Sequence, residues 1–524
     1  MHFTAHGELQ LLFLLAALAA MLAVAAVGRL PPPLLFVAGG LLLGFVPGLP
    51  HVALPPDLVL VAILPPLLYS AAFFTGLRDL RANLRPITLL AIGLVAVTTC
   101  TVAVVSHGII AGFSWGEAFT LGAIVSPTDA LAATEVIRRV PVPRRVIAII
   151  EGESLVNDGF ALVVYKTALT ATVAGTFSIW SASWHLVVNV IGGIAVGLGV
   201  GYLVRQLRRR IDDAPTEVSI ALLSGYLAYL PATAIGVSGV LAAVTIGVYM
   251  GWYTPQLTNG VTRISGNAFW EIVTFFVNAL LFALVGLQLH GIVDRLGGRS
   301  IAALVWDALV ISVVVIATRI VWVPLFTYVP RRLFRRIREH DPYPPWQAPA
   351  IIGWAGIRGA VSLAAALALP IALAGRDLIV FVTFIVILVT LVGQGLTLPV
   401  LVRRLHVQDD GGAEREDAKA RIKAAQAALS RLEELEAEGW VRTDTAERAR
   451  GLYRFRTSRF RARYEGVDDD GLEERSQQYQ RLRRELLEAE RQAVLRLRNE
   501  GTITEEVMQR VQRDIDLEDL RLDV

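Results

Sequence analysis

Apolar and polar positions separate into two regimes along this chain. From Glu8 to about Leu405 the sequence is a series of long apolar runs, and from Gln408 to Val524 it is almost wholly polar and charged. About 20 apolar residues in helical form span the hydrocarbon core of a bilayer. Thirteen runs approach that length, at roughly 9–28, 33–49, 57–74, 86–108, 115–137, 145–171, 185–205, 216–233, 235–252, 268–289, 300–329, 347–374 and 377–402. The pattern predicts an all-α integral membrane protein with a transmembrane domain over 1–405 and a helical tail over 406–524. No Lys or Arg precedes the first run, whereas a secretory signal peptide needs a basic start, so that run is read as a retained helix.

The polar gaps orient the runs. With the N-terminus outside, loops after odd-numbered helices hold 18 arginines and loops after even-numbered helices hold three: Arg295, Arg299 and Arg376. Cytoplasmic loops carry the basic excess, and a miscounted helix would invert the pattern from that point onward. The tail, opening with Arg403 and Arg404, is then cytoplasmic. Thirteen helices divide as six, one linker and six, so the second half inserts upside down, as in inverted-repeat transporters. The fifth helix is broken at Ser126-Pro127-Thr128-Asp129, and its counterpart, the twelfth, at Gly353-Trp354-Ala355-Gly356-Ile357-Arg358-Gly359. No sequence identity links the halves, so the repeat rests on topology.

Composition agrees with this picture. The chain is 54% hydrophobic and 18% charged, with a mean hydropathy of +0.55; soluble domains carry about 25% charge. The tail has 23 Lys+Arg against 28 Asp+Glu, a balance of −5; the remainder has 49−23=26 against 46−28=18, a balance of +8. The excess sits in loops where it sets topology, and no nucleic-acid footprint is read from it. The one cysteine, Cys100, excludes a disulfide framework and a Cys-based metal site. No nucleotide-binding loop or catalytic triad is present, so a pump or an enzyme is not expected, nor a cofactor.

Ionisable residues inside spans are costly and mark function by default. They are Asp129, Glu151, Glu153, Asp158, Lys166, Glu271, Asp307, Arg319 and Arg358. The sixth helix holds the densest group, Glu151-Gly152-Glu153-Ser154-Leu155-Val156-Asn157-Asp158-Gly159. Residues four apart share a face, so Ser154 and Asp158 form one polar stripe and Glu153 and Asn157 its neighbour. A carboxylate with a hydroxyl suits a hard cation; a carboxylate with an amide suits pairing with an arginine. Pro127 lacks an N–H and frees carbonyls near Thr128. Asp158, Ser154, Asp129 and the Thr128 carbonyl would then converge as a monovalent-cation site if helices five and six pack together. A carboxylate there holds either a proton or a cation, and that competition is sufficient for exchange. Glu153 is expected to pair with Arg358 and hold helix six against helix twelve. Lys166, His107 and His290 read as interface residues, Asp307 and Arg319 as structural partners of acids on neighbouring helices, and Glu271 as a vestibule acid or a solvated helix start.

These motifs resemble the sodium/proton exchanger family of monovalent cation:proton antiporters. The resemblance rests on Ser126-Pro127-Thr128-Asp129, Glu151 to Gly159 and Gly356-Ile357-Arg358-Gly359-Ala360-Val361-Ser362. Phe269-Trp270-Glu271, Asn278 to Phe282 and Val285-Gly286-Leu287-Gln288 are similar to the family's tenth helix. It covers the whole membrane domain in order. It implies a homodimer, with a dimerisation part and a mobile six-helix core that moves by an elevator-like step. It implies that Asp158 binds the ion and carries the proton, that Asp129, Ser154 and Thr128 complete coordination, and that Glu153 and Arg358 form a core ion pair beside Asn157. The Asn157-Asp158 pair is that family's mark of electroneutral exchange. Ala130 departs from the proline that many members place after the Thr-Asp, which bears on the local geometry of the break.

The substrates expected are Na+ (or Li+) and H+; potassium/proton exchange is the alternative, because ligand type alone does not separate the two ions. A channel or sensor built on the same core is the reading from another class, and an intact titratable acid argues against it. In the tail, helices are expected over Ala424–Ala437, Ala446–Tyr464 and Leu472–Arg498, with a turn at Gly466–Gly471 and an apolar stripe of Leu482, Leu486, Leu487, Val494 and Leu497. They regulate transport or merely support the dimer.

Overall fold

The computed structural model describes residues 16–17, 19–24, 32–44, 59–137, 140, 142–174, 179–296, 300–370, 373, 375–407, 411–465 and 472–522. Most of the predicted first run lies outside them, as do Arg29, Arg138, Arg139, Arg299, the side chain of His290 and the tail turn. Among the described residues every regular element is a helix. The chain divides into two compact units, Met1–Asp409 and Asp410–Val524.

In the first unit the apolar runs become α1 (Pro32–Gly44), α2 (Leu64–Phe74), α3 (Leu84–Ile109), α4 (Trp115–Val125), α5 (Ala130–Ile137), α6 (Arg144–Ala174) and α7 (Ile179–Arg208). They continue as α8 (Ala214–Ala234), α9 (Gly239–Leu257), α10 (Gly260–Arg295), α11 (Ile301–Leu333), α12 (Gln347–Trp354), α13 (Ala360–Leu367) and α14 (Arg376–Arg404). Five of these helices, α3, α7, α10, α11 and α14, are long and apolar enough to cross a membrane. The others are shorter, interrupted or more polar, and the sequence shows why. Run five is split into α4 and α5 at Pro127, run twelve into α12 and α13 at its glycines, and α6 carries Glu151, Glu153, Asp158 and Lys166.

Helix starts follow capping chemistry. Ser114 and Glu117 form a reciprocal capping box before α4. Asp213 caps α8, accepting from Thr216 N at 3.0 Å and Thr216 Oγ1 at 2.6 Å. Pro231 stays inside α8, which ends three residues later, and Gly236, at φ +80°, makes the turn into α9.

The helices pack in two groups. One joins α1 to α10, α2 to α9, and α7 to α8 and α9; the other joins α3 to α4 and α11, α6 to α4, and α11 to α12 and α14. Without a hydrophobic drive in lipid, small residues set such contacts: a Cβ at Gly40 of α1 would overlap the Ala283 carbonyl of α10. Two charge clusters sit at helix ends. Arg208, which closes α7, is buried against Glu217 of α8 at 2.9 Å and donates to Thr254 of α9 at 3.2 Å. It is thus a packing residue and not only a topological charge. Asp341, between α11 and α12, binds three arginines: Arg85 at 3.4 Å, Arg145 at 2.8 Å and Arg331 at 2.5 Å. They come from the ends of α3, α6 and α11.

The second unit contains α15 (Gly412–Ala437), α16 (Thr443–Glu465), α17 (Leu472–Asn499) and α18 (Glu505–Leu522), pairing as α15 with α16 and α17 with α18. The first helix is longer than its apolar spacing predicts, and α18 is additional. Of the expected stripe Leu487 is buried, while Leu482, Leu486 and Leu497 are exposed. Arg491 ties α17 to α18 through Asp516 at 2.9 Å and Asp519 at 2.8 Å.

Candidate functional site

The two helix breaks meet. The Asp129 amide, between α4 and α5, donates to the Ile357 carbonyl, between α12 and α13, at 2.8 Å. A Cβ at Gly359 would fall inside the Asp129 carboxylate, so only glycine permits this approach. Asp129 also caps α5, its Oδ1 accepting from Ala132 N at 3.3 Å. Residues at a break must find partners for freed backbone groups, and here each break supplies partners to the other.

Arg358 answers the carbonyl side of that problem. Its Nε donates to the Val125 carbonyl, at the end of α4, at 3.1 Å, and Nη1 donates to the Gly356 carbonyl. Its amide donates to Thr390 Oγ1 at 3.2 Å, on a π turn in α14. A guanidinium at carbonyl-rich helix ends is electrostatically favoured. Arg358 is fully buried, with Nε and Nη1 on carbonyls and Nη2 without a hydrogen-bond partner among the described residues.

Glu153 therefore has a different partner from the one expected. Arg319 of α11 grips it bidentately, Nη1 on Oε1 and Nη2 on Oε2 at 2.7 Å, and Arg319 Nε donates to the Ile352 carbonyl at 3.1 Å. Arg358 is engaged with the carbonyls of the broken helices, whereas Arg319 projects from a continuous helix toward α6. The sequence marked Arg319 as an intramembrane charge seeking an acid on a neighbouring helix, but spacing does not say which acid. The Glu153 carboxylate also accepts from Thr128 Oγ1 at 3.0 Å, and Thr128 Oγ1 accepts from Asn157 Nδ2 at 2.8 Å. The Thr128 hydroxyl is thus committed in both directions. Asn157 stands as expected beside Glu153, bracing α6 against the first break.

A cavity of about 850 Å³ lies between the two helix groups, with α1, α2 and α10 on one side and the first break, α6 and Gly359 on the other. Thr128, Asp129, Ser154 and Asp158 all line it; Glu153, Asn157 and Arg358 do not. The structure thus brings together the four residues expected to coordinate and leaves the three expected to brace behind them. Ser154 Oγ accepts from Ala130 N at 3.1 Å, which links α6 to the first turn of α5. The charges acting on Asp158 come from Asp129 and Glu153, and the latter is held by Arg319. Glu151 and Glu271 also line the cavity, as does Glu135, which the sequence reading passed over because it lies near the end of the split run. Lys166 is exposed and away from the cavity, and His107 is held at the far end of α3 by the Phe113 carbonyl at 2.7 Å. Oxygen-only donors at a break between half-helices can bind a hard monovalent cation or a proton in competition.

A family profile described as "Sodium/hydrogen exchanger, transmembrane" matches residues 13–404. An uncharacterised Na+/H+ exchanger of Mycobacterium tuberculosis is 36% identical, over 98% of this chain and 97% of the relative. The Na+/H+ antiporter ApNhaP of Aphanothece halophytica is 33% identical, over 77% and 75%. A sodium, potassium, lithium and rubidium/H+ antiporter of Bacillus pumilus is 31% identical, over 77% and 62%. The solved structure of the sodium proton antiporter MjNhaP1 from Methanocaldococcus jannaschii superposes with a TM-score of 0.60 at 18% identity, covering 76% of this chain and 99% of that one; it shows a shared fold.

Proposed function

Because the chain belongs to the sodium/hydrogen exchanger family, we propose that it is a multi-pass secondary antiporter exchanging Na+ (or Li+) for H+ across the cell membrane, in the service of pH and sodium homeostasis. Asp158 is the acid that holds proton and cation in turn. Asp129, Ser154 and the Thr128 carbonyl complete the coordination of the cation, and Glu153, Arg319, Asn157 and Arg358 hold the frame. The observation that carries this reading is the joint exposure of Asp158, Asp129, Ser154 and Thr128 to one cavity beside two crossing helix breaks.

The Asn157-Asp158 pair, the mark of electroneutral members of the family, assigns one-for-one exchange. The chain crosses the membrane thirteen times as an inverted repeat of six and six helices, N-terminus outside and tail in the cytoplasm, a reading supported by the arginine-rich loops. Two chains form a homodimer through the group containing α1, α2 and α7 to α10, while α3 to α6 with α11 to α14 form the mobile core. Potassium exchange is the less favoured reading of the same donors, since the relatives above are named for sodium, and one of them for potassium as well.

The test is proton release from acidified everted vesicles on adding Na+, Li+ or K+. Wild type collapses the gradient with Na+ or Li+, and Asp158→Asn is silent while still present in the membrane. A K+ response as large as that to Na+ moves the substrate to potassium. An active Asp158→Asn protein removes Asp158 as the carrier.

A further inference from the structure

The tail as a whole is acidic, yet one of its helices is the reverse. Between Arg448 and Tyr464, α16 holds seven arginines and four aromatic residues with no acid, against a tail balance of 23−28=−5. The helix has a settled inner face: Ala446 and Phe460 are buried in the hairpin with α15, and Phe460 lies under Arg421 of α15 at 5.1 Å.

At 100° per residue, the opposite face carries Arg448, Leu452, Phe455, Ser458 and Arg459, with Arg454 and Arg461 flanking one side and Arg456 the other. Leu452 is 52% exposed and Phe455 43%. Arg448, Arg454 and Arg461 make no ion pair among the described residues. An outward face of this kind, with large apolar groups set among long basic side chains, is matched to the boundary between lipid headgroups and acyl chains. There the apolar groups insert while guanidiniums reach phosphates.

We propose that α16 binds an anionic lipid surface, with Leu452 and Phe455 inserted and Arg448, Arg454, Arg456 and Arg461 on lipid phosphates. Two observations favour a membrane over a nucleic acid as the polyanion. Leu452 and Phe455 are exposed on the face itself, where a phosphate backbone would offer them nothing. The helix also belongs to a chain whose other unit carries five helices long and apolar enough to cross a bilayer.

The full-length protein tests this, with Cys100→Ser to remove the native thiol and Ser458→Cys to carry an environment-sensitive fluorophore. It is reconstituted in phosphatidylcholine alone or mixed with phosphatidylglycerol. The expected result is a blue shift, with quenching by brominated acyl chains, only where phosphatidylglycerol is present, reversed by high salt. Replacing three arginines, as Arg448→Gln, Arg454→Gln and Arg461→Gln, lowers the bound-to-free ratio by roughly 100-fold. These side chains are exposed, and retained Na+-driven proton release in the same vesicles reports an intact chain. Water-like emission in both lipids overturns the proposal. So does an equal shift in both, a triple variant that shifts like the parent, or a shift produced by soluble RNA and not by lipid.

Discussion

Arg319 and Arg358 are both buried at the site, and they neutralise different things. Arg319 meets a carboxylate; Arg358 meets the carbonyl ends of broken helices. Removing one member of a buried ion pair leaves an uncompensated charge and costs about 3–5 kcal/mol. Arg319→Ala is therefore expected to lower stability by that amount in thermal unfolding of the purified protein. In double-mutant cycles Glu153→Ala couples more strongly to Arg319→Ala than to Arg358→Ala; equal coupling to both would refute the assignment. At this scale the sequence was legible for Asp158, Asp129, Ser154 and Thr128 as neighbours, which the structure places on one cavity. It was not legible for the partner of Glu153. Two arginines were available, and the choice depends on which helix end lacks hydrogen bonds, a property of packing that spacing does not encode.

Among the elements, the break between α4 and α5 carries a test of the Ala130 departure. Ala130 is the first residue of α5, a position that accepts proline because its N–H has no intrahelical partner. Here that N–H is spent on Ser154 Oγ. Ala130→Pro should fold, release the Ser154 hydroxyl for the cation and lower the KM for Na+ by up to about fivefold, the effect of one hydrogen bond of ~1 kcal/mol. An unchanged or raised KM in the vesicle assay would show that Ser154 gains nothing by losing this donor. Gly359→Ala should abolish exchange in a protein that still inserts, because its Cβ and the Asp129 carboxylate cannot share one space. At the start of α8, hydrogen bonds from Thr216 hold the Asp213 carboxyl below the usual carboxylate range. Its contribution is present above the unfolded value and is lost as pH falls through the folded one. Asp213→Ala should melt earlier than the parent at neutral pH, and the difference should vanish in strong acid. The breaks themselves could be read from Pro127 and from the glycines around Arg358, since both leave a mark on composition. The extra tail helix α18 could not, because its polar face dominates a short segment that only its pairing with α17 organises.

For the whole molecule, the division at Asp409 separates a unit holding every residue of the candidate site from one holding none. A chain ending at Asp409 is expected to keep Na+-driven proton release with the same ion preference. If its pH profile moves, the tail is regulatory; if activity is lost although the protein inserts, transport depends on the tail and the division does not mark an independent transporter. Within the first unit, one loop residue has a wider reach than its exposure suggests. Asp341 serves Arg85, Arg145 and Arg331 together. For heredity this makes position 341 a shared dependency. An ordinary ion pair can drift by one change on each side, but loss of this carboxylate takes the shared anion from three cations at the ends of three helices at once, and no single second substitution restores all three pairs. A loop that could otherwise vary as surface loops do is held by that arithmetic to one letter of its sequence.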